Sequence, residues 1–171
     1  AGGRAVRFNE SDVRPMGRVS TGVRSIILDN DPRDGVIGMC VINDVENESI
    51  MVLSENGFGK RTDVEEYDKT NRHCKGVKTI AITEKTGYLV AILVVKDEDD
   101  LMIINKSGVT IRLHADSIKT TKSRVAQGVK VIELKKRNDV ISHLSVVPRS
   151  DEEEETPEGQ EKTETGNQPN E

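Results

Sequence analysis

The sequence predicts an all-β fold in which short antiparallel strands are grouped into repeated blades. The 171 residues include only two Phe, two Tyr and no Trp, so the apolar residues are mainly Val, Ile and Leu. The β-branched Val and Ile favour strands. Clusters of Gly, Asn and Asp separate the apolar runs and are typical of turns. An internal repeat also recurs at spacings of 54 and 52 residues. A repeat of this length built from strands is typical of a propeller blade.

Each repeat carries two landmarks, and each landmark includes an arginine. The first is an opening glycine followed four residues later by what we term a strand arginine; the pairs are Gly3 and Arg7, Gly57 and Arg61, and Gly108 and Arg112. The second is a Gly-Val pair preceded four residues earlier by what we term a loop arginine; these are Gly22 and Arg18, Gly76 and Arg72, and Gly128 and Arg124. We therefore predict three repeats, at about 3–54, 57–105 and 108–147.

A full repeat is expected to supply about four strands. In the first repeat we predict strands at 23–28 and 36–42, followed by the run SIMVLS, and the second repeat reads similarly as VKTIAIT, YLVAILVV and LMIIN. The third supplies only VTIRL, VKVIEL and VISHLSVV before Pro148, so the blades should form a partial ring. One apolar residue, six positions after each strand arginine, should anchor each loop: Val13, Tyr67 and Ile118.

The charge of the chain is divided between a basic body and an acidic end. Residues 150–171 hold nine acidic residues and one lysine, whereas residues 1–149 hold 24 Lys and Arg against 21 Asp and Glu. With no aliphatic or aromatic residue to bury, residues 149–171 should form a disordered acidic tail. Cys40 and Cys74, together with the absence of a signal peptide or a membrane-length apolar run, predict a cytoplasmic location without membrane contact. The start at Ala1 suggests a fragment of a longer protein.

Several motifs resemble the C-terminal domain of bacterial DNA gyrase A: GRAVRFNESDVRPMG, SENGFGKRTDVEEY, KGVKTIAITEKTG, DDLMIIN and QGVKVIEL. The resemblance covers residues 1 to about 148. It implies a β-pinwheel, a propeller-like ring of six blades that exchange strands, of which this chain would hold the last three. It also implies wrapping of duplex DNA without sequence specificity, in support of negative supercoiling by an ATP-dependent type II topoisomerase.

The resemblance further implies which partners and cofactors belong to the whole enzyme. The partners would be double-stranded DNA, the remainder of gyrase A, and gyrase B, at the bacterial nucleoid. ATP and Mg would serve the whole enzyme, and the DNA-cleaving tyrosine would lie upstream, so this fragment would need no cofactor and would not be catalytic. The glutamine-arginine-glycine-rich box that defines gyrase would also lie upstream. The corresponding C-terminal domain of topoisomerase IV therefore stays open as an alternative, as does a propeller that scaffolds protein partners.

Repeated cations are the feature that a DNA-wrapping surface needs, because duplex DNA presents a regular line of phosphates. Strand alternation in VRF and IRL sends the arginine to the face opposite its apolar neighbours. The candidate DNA-binding residues are the six repeat arginines and the lysines near them: Arg7, Arg18, Lys60, Arg61, Arg72, Lys75, Lys78, Arg112, Lys122, Arg124 and Lys130. A structural alternative pairs Arg7 with Asp12 and Arg61 with Glu66 as ion pairs.

Catalytic and metal sites have little support in the sequence. GFGKRT has two glycines and a lysine, as in a phosphate-binding loop, but it lacks a third glycine and a following helix. His73 and Cys74 have no second cysteine at ligand spacing, so no zinc is expected. Tyr67 occupies an anchor position and Tyr88 follows a hairpin glycine, so neither is expected to act as a nucleophile. The sequence therefore predicts a DNA-binding module with neither catalytic residues nor a metal.

Overall fold

A computed structural model of the protein describes residues 1–134 and 139–148. Within these residues the regular elements are short strands and three 3-10 turns, and there is no α-helix. The strands are β1 Arg4–Ala5, β2 Ser49–Ser54, β3 Phe58–Asp63, β4 Val77–Lys78, β5 Leu89–Val95, β6 Asp100–Asn105, β7 Thr110–His114, β8 Thr120–Thr121, β9 Val129–Lys130 and β10 Ile141–Val147. The 3-10 turns are Glu10–Asp12, Val64–Glu66 and Ala115–Ser117. The predicted all-β class is confirmed.

The largest sheet combines strands from all three repeats. Strand β2 lies at its centre, antiparallel to both β3 and β5. The outer edge of β3 is covered by two short strands of the third repeat, β8 in parallel and β9 in antiparallel orientation. Neighbouring repeats therefore exchange strands, because β8 and β9 complete a sheet that belongs mainly to the second repeat.

The second sheet repeats this arrangement one unit later and is smaller. Strands β10, β6 and β7 pair antiparallel in that order, as β5, β2 and β3 do in the large sheet. A third, two-stranded sheet pairs β4 with β1 antiparallel. Its register matches that of β9 on β3, since Val77 lies opposite Ala5 just as Val129 lies opposite Gly59. The Gly-Val strand of one repeat thus pairs with the opening strand of the preceding repeat.

The core lies on both faces of β2, every residue of which is buried. Met51 and Leu53 pack into one apolar cluster with residues of β5, β6 and β10, whereas Ile50 and Val52 pack into a second cluster with Tyr67. The side chains alternate in this way because successive residues of a strand point to opposite faces.

Two of the three expected loop anchors are buried. Tyr67 is 3% exposed and Ile118 is 5% exposed, and both follow directly after a 3-10 turn. Val13, the equivalent residue of the first repeat, is half-buried. The anchor residue is therefore fully buried in the second and third repeats and only half-buried in the first.

The strands expected at 23–28 and 36–42 do not form, and this prediction was wrong. In this stretch the structure has one isolated bridge, between Ile26 and Cys74. The equivalents of 36–42 are β5 and β10, which pair with strands that directly precede Gly57 and Gly108. Only two residues precede Gly3 in this sequence, so it does not contain the matching partner strand. The acidic residues 149–171, expected to be disordered, lie outside the described residues.

Candidate nucleic-acid interface

Two of the strand arginines reach forward to the 3-10 turn of the next repeat. Arg7 donates hydrogen bonds from Nη1 to the carbonyl oxygens of Val64 and Tyr67, at 3.1 and 2.9 Å. Arg61 donates from Nη1 to the carbonyl oxygen of Ala115 at 2.8 Å, and Ala115 occupies the position of Val64 one repeat later. These two arginines therefore join consecutive repeats through backbone carbonyls.

Arg61 is also held by side chains, and it is only 3% exposed. Its Nε donates to the Oγ of Ser49 at 2.9 Å, and its Nη2 forms an ion pair with Asp97. The alternative partner suggested by the sequence, Glu66, is not the acid that Arg61 pairs with. Its burial leaves no cationic surface for a phosphate to contact, so we remove Arg61 from the candidate DNA ligands.

Arg112, the third strand arginine, pairs within its own sheet. Its Nε donates to the Oδ2 of Asp100 at 2.6 Å, and Nδ1 of His114 lies 2.5 Å from Oδ1 of the same carboxylate. Burial alone would raise the pKa of Asp100, but the hydrogen bonds from His114 and Arg112 outweigh it and hold that pKa below its ordinary value. Arg112 thus stabilises a buried carboxylate.

The loop arginines reach in the opposite direction, to the preceding repeat. Arg72 donates from Nε to the carbonyl oxygen of Asp12 at 3.0 Å and from Nη1 to that of Arg24 at 3.4 Å. Arg124 contacts the two equivalent carbonyls one repeat later, those of Glu66 and Lys78. The junction between the first and second repeats and the junction between the second and third therefore contain the same pair of arginine–carbonyl contacts.

Arg18 is the loop arginine without such a contact. Its side chain is exposed and makes no hydrogen bond or ion pair with the part of the chain that the structure describes. By the repeat, its carbonyl partners would belong to a unit on the N-terminal side of the first repeat. Within the described part of the chain, Arg18 therefore exposes its charge.

Lys60 is buried at the junction between the second and third repeats and is 2% exposed. Its Nζ donates to the carbonyl oxygen of Ser123 at 2.7 Å and to that of Arg124. Burial, with a smaller contribution from the nearby Arg124 charge, lowers the pKa of Lys60 to about 8. Like Arg61, Lys60 is inaccessible to a phosphate and leaves the candidate set.

The four remaining lysines of the candidate set are all exposed. Lys75 forms a loose ion pair with Asp29 at 3.7 Å, and Lys130 forms one with Glu133 at 3.5 Å. Lys78 and Lys122 have no side-chain partner among the described residues. Exposed ion pairs of this length contribute little to stability.

One cation that the sequence analysis missed completes a repeated position. Arg24 follows the first Gly-Val pair directly, as Lys78 and Lys130 follow the second and third, and all three side chains are exposed. Arg24 has no side-chain partner among the described residues. Aligning the repeats one position beyond the Gly-Val pair would have identified it. We term Arg24, Lys78 and Lys130 the rim cations.

The two tyrosine hydroxyls, which could act as nucleophiles, both have hydrogen-bond partners within the chain. The Tyr67 hydroxyl is buried against Thr79, and the Tyr88 hydroxyl contacts Asp31 while its ring lies 3.9 Å below the Arg33 guanidinium. A shallow cleft of about 380 Å³ is lined by Asp12, Asn71, Arg72 and His73. Within the described residues no group of three His, Cys, Asp or Glu side chains lies close enough to hold a metal ion.

No helix in the described part of the chain is both long and apolar enough to cross a membrane.

The chain is similar to known proteins in both sequence and fold. It matches the family model described as "DNA gyrase C-terminal domain, beta-propeller" over residues 1–43, 48–96 and 99–148. It is 42% identical over 160 residues to the DNA gyrase A protein of Staphylococcus aureus strain NCTC 8325, an alignment that covers 94% of this chain and 18% of that protein. The chain therefore spans about a fifth of the length of this relative.

Two solved structures share the fold. A structure of the DNA gyrase A C-terminal domain aligns with a TM-score of 0.67 at 25% identity, covering 85% of this chain and 47% of that one. The C-terminal domain of DNA topoisomerase IV aligns with a TM-score of 0.76 at 22% identity, covering 86% and 44%. The family model covers most of the chain. This chain belongs to the family of the DNA gyrase A C-terminal domain.

Proposed function

We propose that this chain binds and bends duplex DNA without sequence specificity, as the C-terminal part of a gyrase A protein, and so supports negative supercoiling. The observation that carries the proposal is the set of rim cations, because one exposed Arg or Lys side chain occupies the same position in each of the three repeats. A curved surface that follows a duplex needs such a repeated donor more than it needs base-reading side chains. Residues 1–149 also carry a small excess of basic residues, 24 against 21.

The candidate DNA ligands divide into three groups according to the exposure and the bonding partners of their side chains. The rim cations, with Arg18, Lys75 and Lys122, expose their charge and form the proposed DNA-contacting set. Arg7, Arg72 and Arg124 are half-buried and bond to backbone carbonyls across junctions. Their proposed role is to hold the repeats in the curvature that the DNA follows. The third group, Lys60, Arg61 and Arg112, serves the fold through the contacts described above.

The similarity to gyrase A at 42% identity over 94% of this chain supports the gyrase form of this function. In the whole enzyme the proposed partners are the rest of gyrase A and gyrase B. ATP and Mg would act in those parts of the enzyme.

The test is a salt series of duplex binding with the rim cations replaced. Removing one phosphate contact should reduce the slope of log affinity against log salt by roughly 0.9. The triple variant Arg24→Ala, Lys78→Ala, Lys130→Ala should therefore show a flatter slope and weaker binding, to a similar extent for unrelated sequences. A matched control, Lys85→Ala, Lys96→Ala, Lys106→Ala, removes three exposed cations from segments that connect strands, outside the repeated position, and should change the slope less. Equal slopes for the two triple variants would contradict the proposal.

Bending is tested separately on closed circular DNA. The protein is bound to a relaxed plasmid, a type I topoisomerase relaxes the unconstrained DNA, and the protein is then removed. A wrapped path leaves a shift in linking number that grows with protein concentration. If the linking number is unchanged at saturating protein, the chain binds DNA without wrapping it.

A further inference from the structure

We propose that His73 forms a pH-dependent contact with DNA, so that duplex binding strengthens as the pH falls through the range in which histidine takes up a proton. This contact rests on the proposed function, because it requires that the chain binds duplex DNA. His73 lies at the junction between the first and second repeats, where both repeats are present and described.

The shallow cleft at this junction offers three nitrogen donor groups and one carboxylate. It is lined by Asp12, Asn71, Arg72 and His73. Arg72 bonds through Nε and Nη1 to carbonyl oxygens of the first repeat, whereas its Nη2 has no partner in the described part of the chain. The side chains of Asn71 and His73 are exposed and make no hydrogen bond with the described residues. A phosphate oxygen can accept a hydrogen bond from each of these three groups.

Protonation of His73 changes the net charge of the cleft. Arg72 contributes one positive charge and Asp12 one negative charge, so the charges of the lining cancel while His73 is neutral. The lining carries one net positive charge once His73 is protonated. Histidine is the side chain whose charge ordinarily changes between about pH 5 and about pH 8. The attraction of the cleft for a phosphate should therefore increase as the pH falls.

The loop that carries His73 is attached to the segment that displays a rim cation. The backbone N–H of His73 donates to the carbonyl oxygen of Ser25 at 2.6 Å, and Arg72 donates to that of Arg24. A duplex held by the exposed side chain of Arg24 would therefore pass close to the cleft.

The charged and titratable groups around His73 leave a small positive balance. Two come from the first repeat and three from the loop of His73 itself: Asp12, Arg24, Arg72, Cys74 and Lys75. Lys75 forms a loose ion pair with Asp29. Three cations against two carboxylates already favour an anion, and a protonated imidazole would add a fourth cation.

His73 differs from its equivalent at the next junction in both residue type and backbone conformation. That equivalent is Val125, which is 52% exposed, so the position faces solvent at both internal junctions. His73 has φ +60° and is the only residue other than glycine with a positive φ among the described residues. Residues with side chains rarely adopt this conformation, and those that do are concentrated at functional sites. Because Val125 occupies the position without it, packing of the repeats does not require it.

The next junction lacks a group that could respond to pH in the same range. The residues equivalent to the cleft lining are Glu66, Ser123, Arg124 and Val125, which include one acid, one base and no histidine. The proposed pH dependence therefore belongs to the first junction alone among the two that the structure describes.

Filter binding of a duplex to the 171-residue chain across a salt series, at about pH 5.5 and about pH 7.5, tests the contact. The slope of log affinity against log salt should be steeper at the lower pH by up to about 0.9, the value of one added phosphate contact. His73→Asn should remove this difference, because Asn is neutral at both pH values and tolerates the left-handed backbone. His73→Lys should give the steeper slope at both pH values, because its charge is permanent in this range.

The matched control is His143→Asn, which removes another exposed histidine, from β10, and should preserve the pH difference. Asp12→Asn removes the acid of the cleft and keeps the backbone carbonyl to which Arg72 bonds. It should tighten binding at both pH values and also preserve the pH difference. Thermal unfolding of each variant establishes that it is folded under the conditions of the binding measurement.

The pH-dependent contact and the role of the rim cations fail separately. A pH difference as large in His73→Asn as in the original chain would overturn the contact, and so would a His73→Lys slope that changes with pH as much as that of the original. If the rim-cation triple variant binds like the original chain while the His73 variants behave as expected, only the role of the rim cations is overturned. A chain that binds no duplex at either pH would overturn both.

Discussion

Arg124 donates a hydrogen bond of 3.1 Å from Nε to the carbonyl oxygen of Lys78, whose own side chain is exposed. Arg72 makes the equivalent contact: its Nη1 donates to the carbonyl oxygen of Arg24 at 3.4 Å. The side chain of Arg24 is also exposed. The loop arginine of one repeat therefore fixes the backbone that displays the rim cation of the preceding repeat. Joining the repeats and presenting charge are two effects of one contact.

Replacing Arg124 with Ala should lower the free energy of unfolding by about 2 kcal/mol, because a charged donor that bridges two repeats is removed. The equivalent change Arg18→Ala should alter it by less than about 0.5 kcal/mol, since Arg18 has no partner in the described chain. Urea denaturation of both variants at low protein concentration measures the difference. Equal destabilisation by the two changes would show that the carbonyl contacts do not join the repeats.

Replacing Gly128 with Ala should cost about 3 kcal/mol, from a left-handed backbone at φ +82° and a methyl group 2.5 Å from the Gly59 carbonyl oxygen. At Gly22 the backbone conformation is the same but the space is open, so Gly22→Ala should cost only about 1 kcal/mol in the monomer. Thermal unfolding of the pair separates the cost of conformation from the cost of close approach. A Gly22→Ala variant as unstable as Gly128→Ala would contradict this assignment.

The stability of the chain should rise with pH in the window set by Lys60. Its pKa is lowered from 10.5 to about 8 in the folded chain, chiefly by burial. Between these values the unfolded chain binds more protons than the folded chain, so the free energy of unfolding contributed by Lys60 increases as pH rises.

The measurement compares the original chain with Lys60→Met by urea denaturation from about pH 7.5 to about pH 10.5, the window given by linkage. The original chain should gain stability relative to the variant as pH rises. Lys106→Met, at an exposed lysine, serves as the control and should show a difference that does not depend on pH. A flat difference for Lys60→Met as well would mean that its ammonium group is not destabilised by burial.

Removing residues 150–171 should tighten duplex binding at low salt. The segment carries nine acids and one lysine, and a tethered polyanion competes with DNA for the same cations at high effective concentration. The gain should fade as salt screens the attraction. Filter binding of the truncated chain is compared with a full-length variant in which the nine acids are replaced by Gln. If only truncation tightened binding, charge would not be the cause.

The repeat pattern predicted the fold because it depends on local spacing. Opening glycines, Gly-Val pairs and the apolar anchors at Tyr67 and Ile118 recur along the chain and mark the ends and the buried faces of short strands. The strands at 23–28 and 36–42 were predicted from the same apolar patterns but do not form. A strand needs a hydrogen-bonded neighbour, and composition does not reveal whether that neighbour is in the chain.

The roles of the cations depended on contacts between distant residues. Strand alternation allows Lys60 and Arg61 to point to opposite faces, and both were predicted to contact DNA. Both are buried, because the loop at Ser123, 63 residues beyond Lys60, covers one side and Ala115, 54 residues beyond Arg61, covers the other.

By itself the sequence determined the all-β class, the three repeats and the family, since each of these is carried by residue types at fixed spacings. Only the tertiary structure decided which repeated cations face solvent and which bind a neighbouring repeat. An arginine beside a phosphate and an arginine beside a carbonyl oxygen have the same sequence pattern, because both ligands are oxygen acceptors. What separates Arg124 from Arg18, which occupies the same position of the repeat, is whether the described chain supplies those oxygens, and that is decided when the repeats pack together.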